Sequence, residues 1–265
     1  MSSFNSDGSG DQPGNPLSKA LRSVNHFVGG FSTLIYAALI AISIRTFAYE
    51  PFNIPSGSML PTLLVGDYLF VSKYSYGFSR YSVPFGLPLF EGRVFSSQVE
   101  RGDVAVFKKP GDEGIDYIKR IVGVPGDRIQ MIDGVFYLNG EAVPRQRVED
   151  FSYVDREGNH VLSPQYQETL PGGPTYMTLD KIPNGPADNT RVFLVPNGYY
   201  FAMGDNRDNS LDSRITWGGI GLVPEQNLVG RAEILFFSVD GQARFWEIWK
   251  WPTGIRFSRF FSGID

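Results

Sequence analysis

Two serines flank a glycine at Ser56-Gly57-Ser58, and the chemistry such a turn offers is acyl transfer. Glycine opens backbone angles closed to other residues. A turn of this kind can expose a hydroxyl and aim neighbouring N–H groups at one point, as an acyl-transfer site requires. The pattern is not the Gly-x-Ser-x-Gly elbow, and taken alone it is most often an ordinary loop. A serine nucleophile needs a base. The chain holds two histidines, His26 at the start of an apolar run and His160 in a polar stretch, and no cysteine. Thiolate nucleophiles, disulfides and Cys-ligated metals are excluded, and a base would come from Lys, Asp or Glu. Lys119 stands in Asp116-Tyr117-Ile118-Lys119-Arg120-Ile121-Val122-Gly123. In a strand it shares a face with Tyr117 and Ile121, while Arg120 shares the other with Ile118 and Val122. One of the two cations therefore points toward an apolar layer. Burial penalises an ammonium and lowers its pKa, which makes a lysine a general base near neutral pH. The plainer alternative is a lysine that snorkels to water and stays charged.

A third polar segment, Gly204-Asp205-Asn206-Arg207-Asp208-Asn209-Ser210-Leu211-Asp212-Ser213-Arg214, follows the apolar run Tyr199–Met203. Asp208, Ser210 and Asp212 have the alternation of a calcium loop. Ser213 stands where that loop needs glycine, and Gly219 where it needs glutamate. No metal and no cofactor are expected. A structural turn in which Asp212 pairs with Arg214 is the other reading.

The elements that position these residues are strands. Residues 1–26 form a polar tail expected to be disordered and cytoplasmic. Residues 27–48 are expected to form one transmembrane helix, since no charge occurs from Val28 to Ile44. A cleaved signal peptide is the rival reading. Lys19 and Arg22 before the run, against Arg45 after it, put the N-terminus in the cytoplasm and the body outside. Ser58 follows Thr46 by about a dozen residues, so it lies within ~40 Å of the end of that helix. Strand-like runs recur at 67–74, 103–107, 117–124, 128–138, 191–203 and 232–239. Asp133-Gly134 and Asn139-Gly140 are tight-hairpin dipeptides. No strand–helix alternation appears, so the fold class is mainly β. It comprises an antiparallel catalytic domain over 49–140 and 190–265, with residues 141–189 as a polar, cap-like insertion. The tail holds Trp246, Trp249, Trp251, Phe257, Phe260 and Phe261 among Lys250, Arg256 and Arg259. It suits a bilayer interface or an aromatic plug on the sheet equally.

Composition bounds the rest. The 265 residues are 42% hydrophobic and 14% aromatic, enough to fill the core of one large domain. A net charge of −4 with scattered basic residues leaves no nucleic-acid footprint.

Taken together these segments resemble a known family. Tyr49-Glu50-Pro51-Phe52-Asn53-Ile54-Pro55-Ser56-Gly57-Ser58-Met59-Leu60-Pro61-Thr62-Leu63 is similar to the nucleophile segment of the bacterial type I signal peptidases. Arg101–Phe107, Asp116–Arg120 and Val122–Asp127 resemble that family's next boxes in order. Gly204–Arg214 resembles its last, and Trp251–Arg256 its C-terminus. The resemblance implies a serine/lysine endopeptidase that removes N-terminal signal peptides from exported pre-proteins with small residues at −1 and −3. It implies Ser58 as nucleophile and Lys119 as base, with the Ser58 N–H and the Ser56 hydroxyl as oxyanion hole. Ser210 would orient the lysine, and Asp212 with Arg214 would support it. Phe52, Ile54, Pro55, Met59, Leu63, Tyr117 and Ile118 stand at or beside the substrate-pocket positions, where plain core packing is the alternative. The implied setting is a monomer in the bacterial inner membrane, touching lipid and signal peptides. Two readings stand beside it. One is a related protease acting on another precursor class; the other is a non-enzymatic anchored domain that binds extracytoplasmic partners.

Overall fold

The structure is a computed structural model and describes residues 32–43, 45, 48–82, 92–155, 157–215, 218–240, 249 and 254–264. The chain divides into two compact units, Met1–Ile44 and Arg45–Asp265. In the first, residues 32–43 are helical and expose Leu34, Tyr36 and Ile40. Among the described residues no helix is long and apolar enough to cross a membrane. At ~1.5 Å per residue the described stretch 32–43 is shorter than a ~30 Å hydrocarbon core. Arg45 is also helical and Ala48 lies in a turn; the rest of the expected 27–48 helix, and the 1–26 tail, lie outside the described residues.

The second unit is antiparallel β. Its strands in chain order begin with β1 (Tyr49–Asn53), β2 (Asp67–Ser72), β3 (Phe78–Ser79), β4 (Arg93–Val94), β5 (Val104–Lys109) and β6 (Asp112–Gly123). Then come β7 (Arg128–Ile132), β8 (Val135–Leu138), β9 (Glu141–Ala142), β10 (Arg145–Arg147), β11 (Phe151–Val154) and β12 (His160–Ser163). The series ends with β13 (Gln165–Thr169), β14 (Thr175–Leu179), β15 (Phe193–Leu194), β16 (Tyr199–Met203), β17 (Val223–Pro224) and β18 (Leu228–Ser238). The main sheet has the order β1-β2-β18-β5-β6-β16-β17. Its central strands are rich in β-branched and aromatic residues, which fit a pleated, buried surface. β6 is exposed at Asp112–Asp116, where Asp112 and Asp116 still pair with β5, and buried from Lys119 to Gly123, so only its apolar end is covered.

Turn chemistry sets the small sheet β15-β7-β8-β9. Asp133 and Gly134 both take positive φ, 48° and 74°, between β7 and β8, and Asn139 and Gly140 do so between β8 and β9. The run 128–138 is thus a hairpin rather than one strand. Residues 191–203 likewise break at Pro196-Asn197-Gly198 into β15 and β16.

Segment 141–189 is more ordered than its polar sequence suggests. β10-β13-β14 form one sheet and β11-β12 another. Strand periodicity is hidden there because some inward positions are polar: Glu168 on β13 and Thr178 on β14 are buried along with Tyr176.

Among the described residues, buried apolar side chains gather in four clusters. The one beneath Ser58 holds Ile54, Met59, Leu63, Leu69, Val71, Val104 and Val106, with Val229, Ala232 and Leu235 from β18. The C-terminus closes one end. Ile255 bridges Val239, the Phe260 ring lies 5.4 Å from that of Phe237, and Phe257 and Phe261 are exposed. Arg259 grips Asp67 with both guanidinium edges (2.6 and 3.1 Å) and donates to Thr62 O at 2.9 Å. Trp246 and Trp251 lie outside the described residues.

Candidate active site

Register puts Lys119 opposite Ala105 of β5 on one side. On the other side β16 ends at Met203, opposite Arg120. The chain then leaves the sheet as the 204–214 segment, which therefore lies alongside Lys119. Ser58 sits in a 3-10 turn, Gly57–Met59, between β1 and β2. Two bonds from Asn206 tie that turn to the 204–214 segment. The Asn206 N–H donates to Ser58 O at 3.1 Å, and Asn206 Nδ2 donates to Gly57 O at 3.0 Å. Gly57 is not among the residues with positive φ, so its backbone freedom is not what the turn uses. A Cβ there would press on the Leu60 side chain at 3.1 Å. Gly204 is the glycine that close approach demands. A Cβ there would fall 2.6 Å from Ser58 O and 2.3 Å from Ser210 Oγ.

The result is a buried amine against a buried hydroxyl. Lys119 Nζ lies 2.5 Å from Ser58 Oγ and 3.0 Å from Ile118 O, with the two residues only 3% and 7% exposed. Loss of hydration lowers the amine pKa from 10.5 to about 8; Asp212 and Asp205 oppose the fall and Arg214 assists it. At pH 7 roughly a tenth of such amines are neutral, against fewer than ~1 in 1,000 for an unshifted lysine. A neutral amine accepts the hydroxyl proton, so the pair can carry out base-assisted attack on a carbonyl. Ser56 Oγ lies 3.4 Å from Ser58 Oγ, on the same turn.

The supporting groups assemble unevenly. Asp212 and Arg214 form a two-pronged pair (Nε–Oδ1 and Nη2–Oδ2, both 2.9 Å), and Asp212 also accepts the Gly204 N–H at 3.0 Å. Burial alone would raise the Asp212 carboxyl, but the Arg214 charge and these hydrogen bonds outweigh it and hold it low. Ser210 Oγ is buried, does not bond Lys119, and lies close enough to Asp212 to help hold that carboxyl low. Of the pocket candidates, Met59 and Leu63 are wholly buried in the cluster under the turn and present no open face to a substrate. Ile54 is 3% exposed in the same cluster. Phe52 and Ile118 pack at its edge, partly open. Pro55 is exposed, and Tyr117 stacks beside Phe107 with the Lys119 amine 5.5 Å from its ring centre.

Sequence reasoning left one of the two strand cations to an apolar layer; the structure buries both. Arg120 is fully enclosed and grips Asp205 through Nε and Nη2, each at 2.9 Å, while Nη1 donates to Gly102 O at 2.8 Å. Thr62 Oγ1, four residues beyond Ser58, donates to Asp205 at 2.6 Å. Arg120, Asp205, Asn206 and Thr62 are the residues the sequence reading missed. Their signal was present in the charge beside Lys119 and the acid beside Gly204, but nothing in it paired them. The carboxylates of Asp180, Asp188 and Asp208 lie within 4.8 Å of one another. Their oxygens accept from Arg145 and from the backbone N–H groups of Lys181, Ile182 and Gly185.

An antiparallel β body thus carries a buried hydroxyl beside a desolvated amine, the two groups that base-assisted nucleophilic attack requires. Residues 28–237 match the family described as signal peptidase, peptidase S26, and the chain belongs to that family. Membership makes it a peptidase by class. It is 40% identical over 253 residues to the signal peptidase I of Rickettsia typhi, covering 88% of this chain and 92% of that protein. The signal peptidase I of Rickettsia conorii is 39% identical over 272 residues, with 96% and 98% covered. A signal peptidase I structure from Enterococcus faecalis aligns at 24% identity over 51% of this chain and 97% of its own, with a TM-score of 0.30.

Proposed function

We propose that this chain is a membrane-anchored serine endopeptidase that cleaves N-terminal signal peptides from exported pre-proteins, with Ser58 as nucleophile and Lys119 as general base. The observation that carries the reading is the buried 2.5 Å approach of the Lys119 amine to the Ser58 hydroxyl, with the amine pKa lowered to about 8. Membership of the signal peptidase family supplies the substrate class.

The chemistry balances with this chain's own groups. Neutral Lys119 takes the Ser58 proton as Oγ bonds to the scissile carbonyl carbon, and the carbonyl oxygen becomes an oxyanion. The Ser58 N–H and the Ser56 hydroxyl donate to that oxyanion. The intermediate collapses, the C–N bond breaks, and the Lys119 ammonium gives its proton to the departing amine of the mature protein. A water then loses a proton to Lys119 and attacks the acyl carbon, and Ser58 leaves protonated. Asp212 and Arg214 fix the 204–214 segment, and Ser210 packs against Gly204 within it. Phe52, Pro55, Tyr117 and Ile118 form apolar walls that admit small side chains at −1 and −3. Anchoring is supported by the uncharged run from Val28 to Ile44 and by the excess of basic residues before it. That topology places segment 49–265 outside the cytoplasm.

The test is cleavage of a synthetic precursor peptide with Ala at −1 and −3, compared with bulky variants at those positions. Cleavage after the small residue, lost in Ser58→Ala and in Lys119→Met while both remain folded, is the expected result. Cleavage retained by both variants refutes the assignment, and equal cleavage of the bulky peptides refutes the pocket.

A further inference from the structure

Both members of the proposed pair have an arginine as a near neighbour, and both arginines turn away toward the same hairpin of segment 141–189. Arg120 follows Lys119. Its guanidinium carbon lies 4.2 Å from the centre of the Tyr176 ring on β14. Arg207 follows Asn206, the residue whose two hydrogen bonds hold the Ser58 turn. Its Nη1 and Nη2 donate to Glu168 of β13 at 3.0 and 2.5 Å. Tyr176 OH closes the figure by donating to Glu168 Oε2 at 3.0 Å. Arg207 O in turn accepts Arg214 Nη2 at 2.6 Å, which joins the Asp212–Arg214 pair to the same assembly. Backbone continues the contact: the Leu179 N–H of β14 donates to Asp205 O at 2.8 Å, and Leu179 bridges Asn206.

Glu168, Tyr176 and Arg207 are buried at 1%, 4% and 3% exposure, deeper than any solvated surface pair. A two-pronged arginine–carboxylate pair fixes orientation as well as distance. Enclosed here, it has no water to substitute for a lost partner.

We propose that Glu168, with Tyr176, is a positioning element through which segment 141–189 sets the relative placement of nucleophile and base. One arm runs from Glu168 through Arg207 and Asn206 to the Ser58 turn. The other runs from the Tyr176 ring over Arg120 to the strand that carries Lys119. The hairpin holds both halves of the pair from behind, without touching substrate. This assignment rests on the Ser58–Lys119 reading and gives the polar insertion a role in turnover rather than only in folding.

The test compares Glu168→Gln and Tyr176→Leu with the parent full chain, on a precursor peptide with Ala at −1 and −3 that the parent cleaves and Ser58→Ala does not. Geometry at the reacting groups affects turnover more than ground-state binding. Each variant is expected to lower kcat at least tenfold with KM within twofold. Glu168→Gln, which leaves the enclosed Arg207 without a carboxylate, should also lower melting on the order of 10 °C, whereas Tyr176→Leu should melt closer to the parent. An unchanged kcat in a folded variant overturns the proposal, and so does a rise in KM that accounts for the whole loss. Tyr176→Leu changes no charge and decides the matter should Glu168→Gln not fold. Hydrogen exchange keeps the proposal separate from the reading beneath it. If the parent itself fails to cleave, that reading falls, and exchange at the Leu179, Asn206 and Ile121 amides decides alone. Faster exchange there in the variants, with residues 128–138 unchanged, supports the positioning role; exchange equal to the parent overturns it.

Discussion

Replacing Lys119 with methionine should abolish cleavage and yet stabilise the fold below pH 8. The amine pKa falls from 10.5 in an exposed lysine to about 8 here, mainly through lost hydration. At 1.36 kcal/mol per unit, the charged form is destabilised in the folded chain by about 3 kcal/mol. The sign follows from proton binding. Between pH 8 and 10.5 the unfolded chain holds the proton and the folded chain does not, so the parent gains stability as pH rises through that window. Below it both states are charged and the full penalty stands; above it both are neutral and the penalty is gone. Methionine fills similar volume without charge but gives up the bonds to Ser58 Oγ and Ile118 O. Those are worth about 1 kcal/mol each. The variant should therefore be about 1 kcal/mol more stable than the parent at pH 6 and about 2 kcal/mol less stable at pH 10.5. Urea unfolding of the purified full chain at both pH values measures the difference, and other titrating groups cancel between the two proteins. A difference that stays flat with pH would show that the amine titrates normally and that burial is not its activating influence.

Three further outcomes follow from the same geometry. The kcat/KM of the parent should rise about tenfold per pH unit below 8 and level above it, because the neutral amine is the active form; a limb centred near 10.5 or near 6.5 in the pH profile contradicts this. Asp205→Asn leaves the enclosed Arg120 guanidinium without a carboxylate, a change that costs roughly 3–5 kcal/mol in buried pairs. Scanning calorimetry should show melting lowered on the order of 10 °C, and an unchanged melt would refute the pairing argument. Gly204→Ala places a methyl 2.6 Å from Ser58 O and 2.3 Å from Ser210 Oγ. Peptide cleavage should fall at least a hundredfold while circular dichroism keeps its β signature, and full activity would mean the segment has room to move.

Much of the site was legible because local sequence makes it. The Ser56-Gly57-Ser58 turn, the apolar strand around Lys119 and the Asp133-Gly134 and Asn139-Gly140 hairpins depend on neighbours within a few residues, and their order along the chain marks the family. The three-dimensional arrangement altered the reading at particular points. Gly57 does not use the backbone angles special to glycine, a Cβ there would press only on the Leu60 side chain, and Gly204 carries the close approach. Met59 and Leu63, adjacent to the nucleophile in sequence, belong to the core.

The sequence by itself determined the antiparallel β class, the absence of thiol chemistry, the shortage of histidine and the candidate pair Ser58 and Lys119. Only tertiary structure decided that these two meet at 2.5 Å, that Arg120 finds Asp205, and that Glu168 reaches Arg207 from the far hairpin. The physical reason is that charge partners, burial and register are settled between segments that share no local pattern. A strand announces itself in alternation, but the partner of a buried cation is chosen by the packing around it.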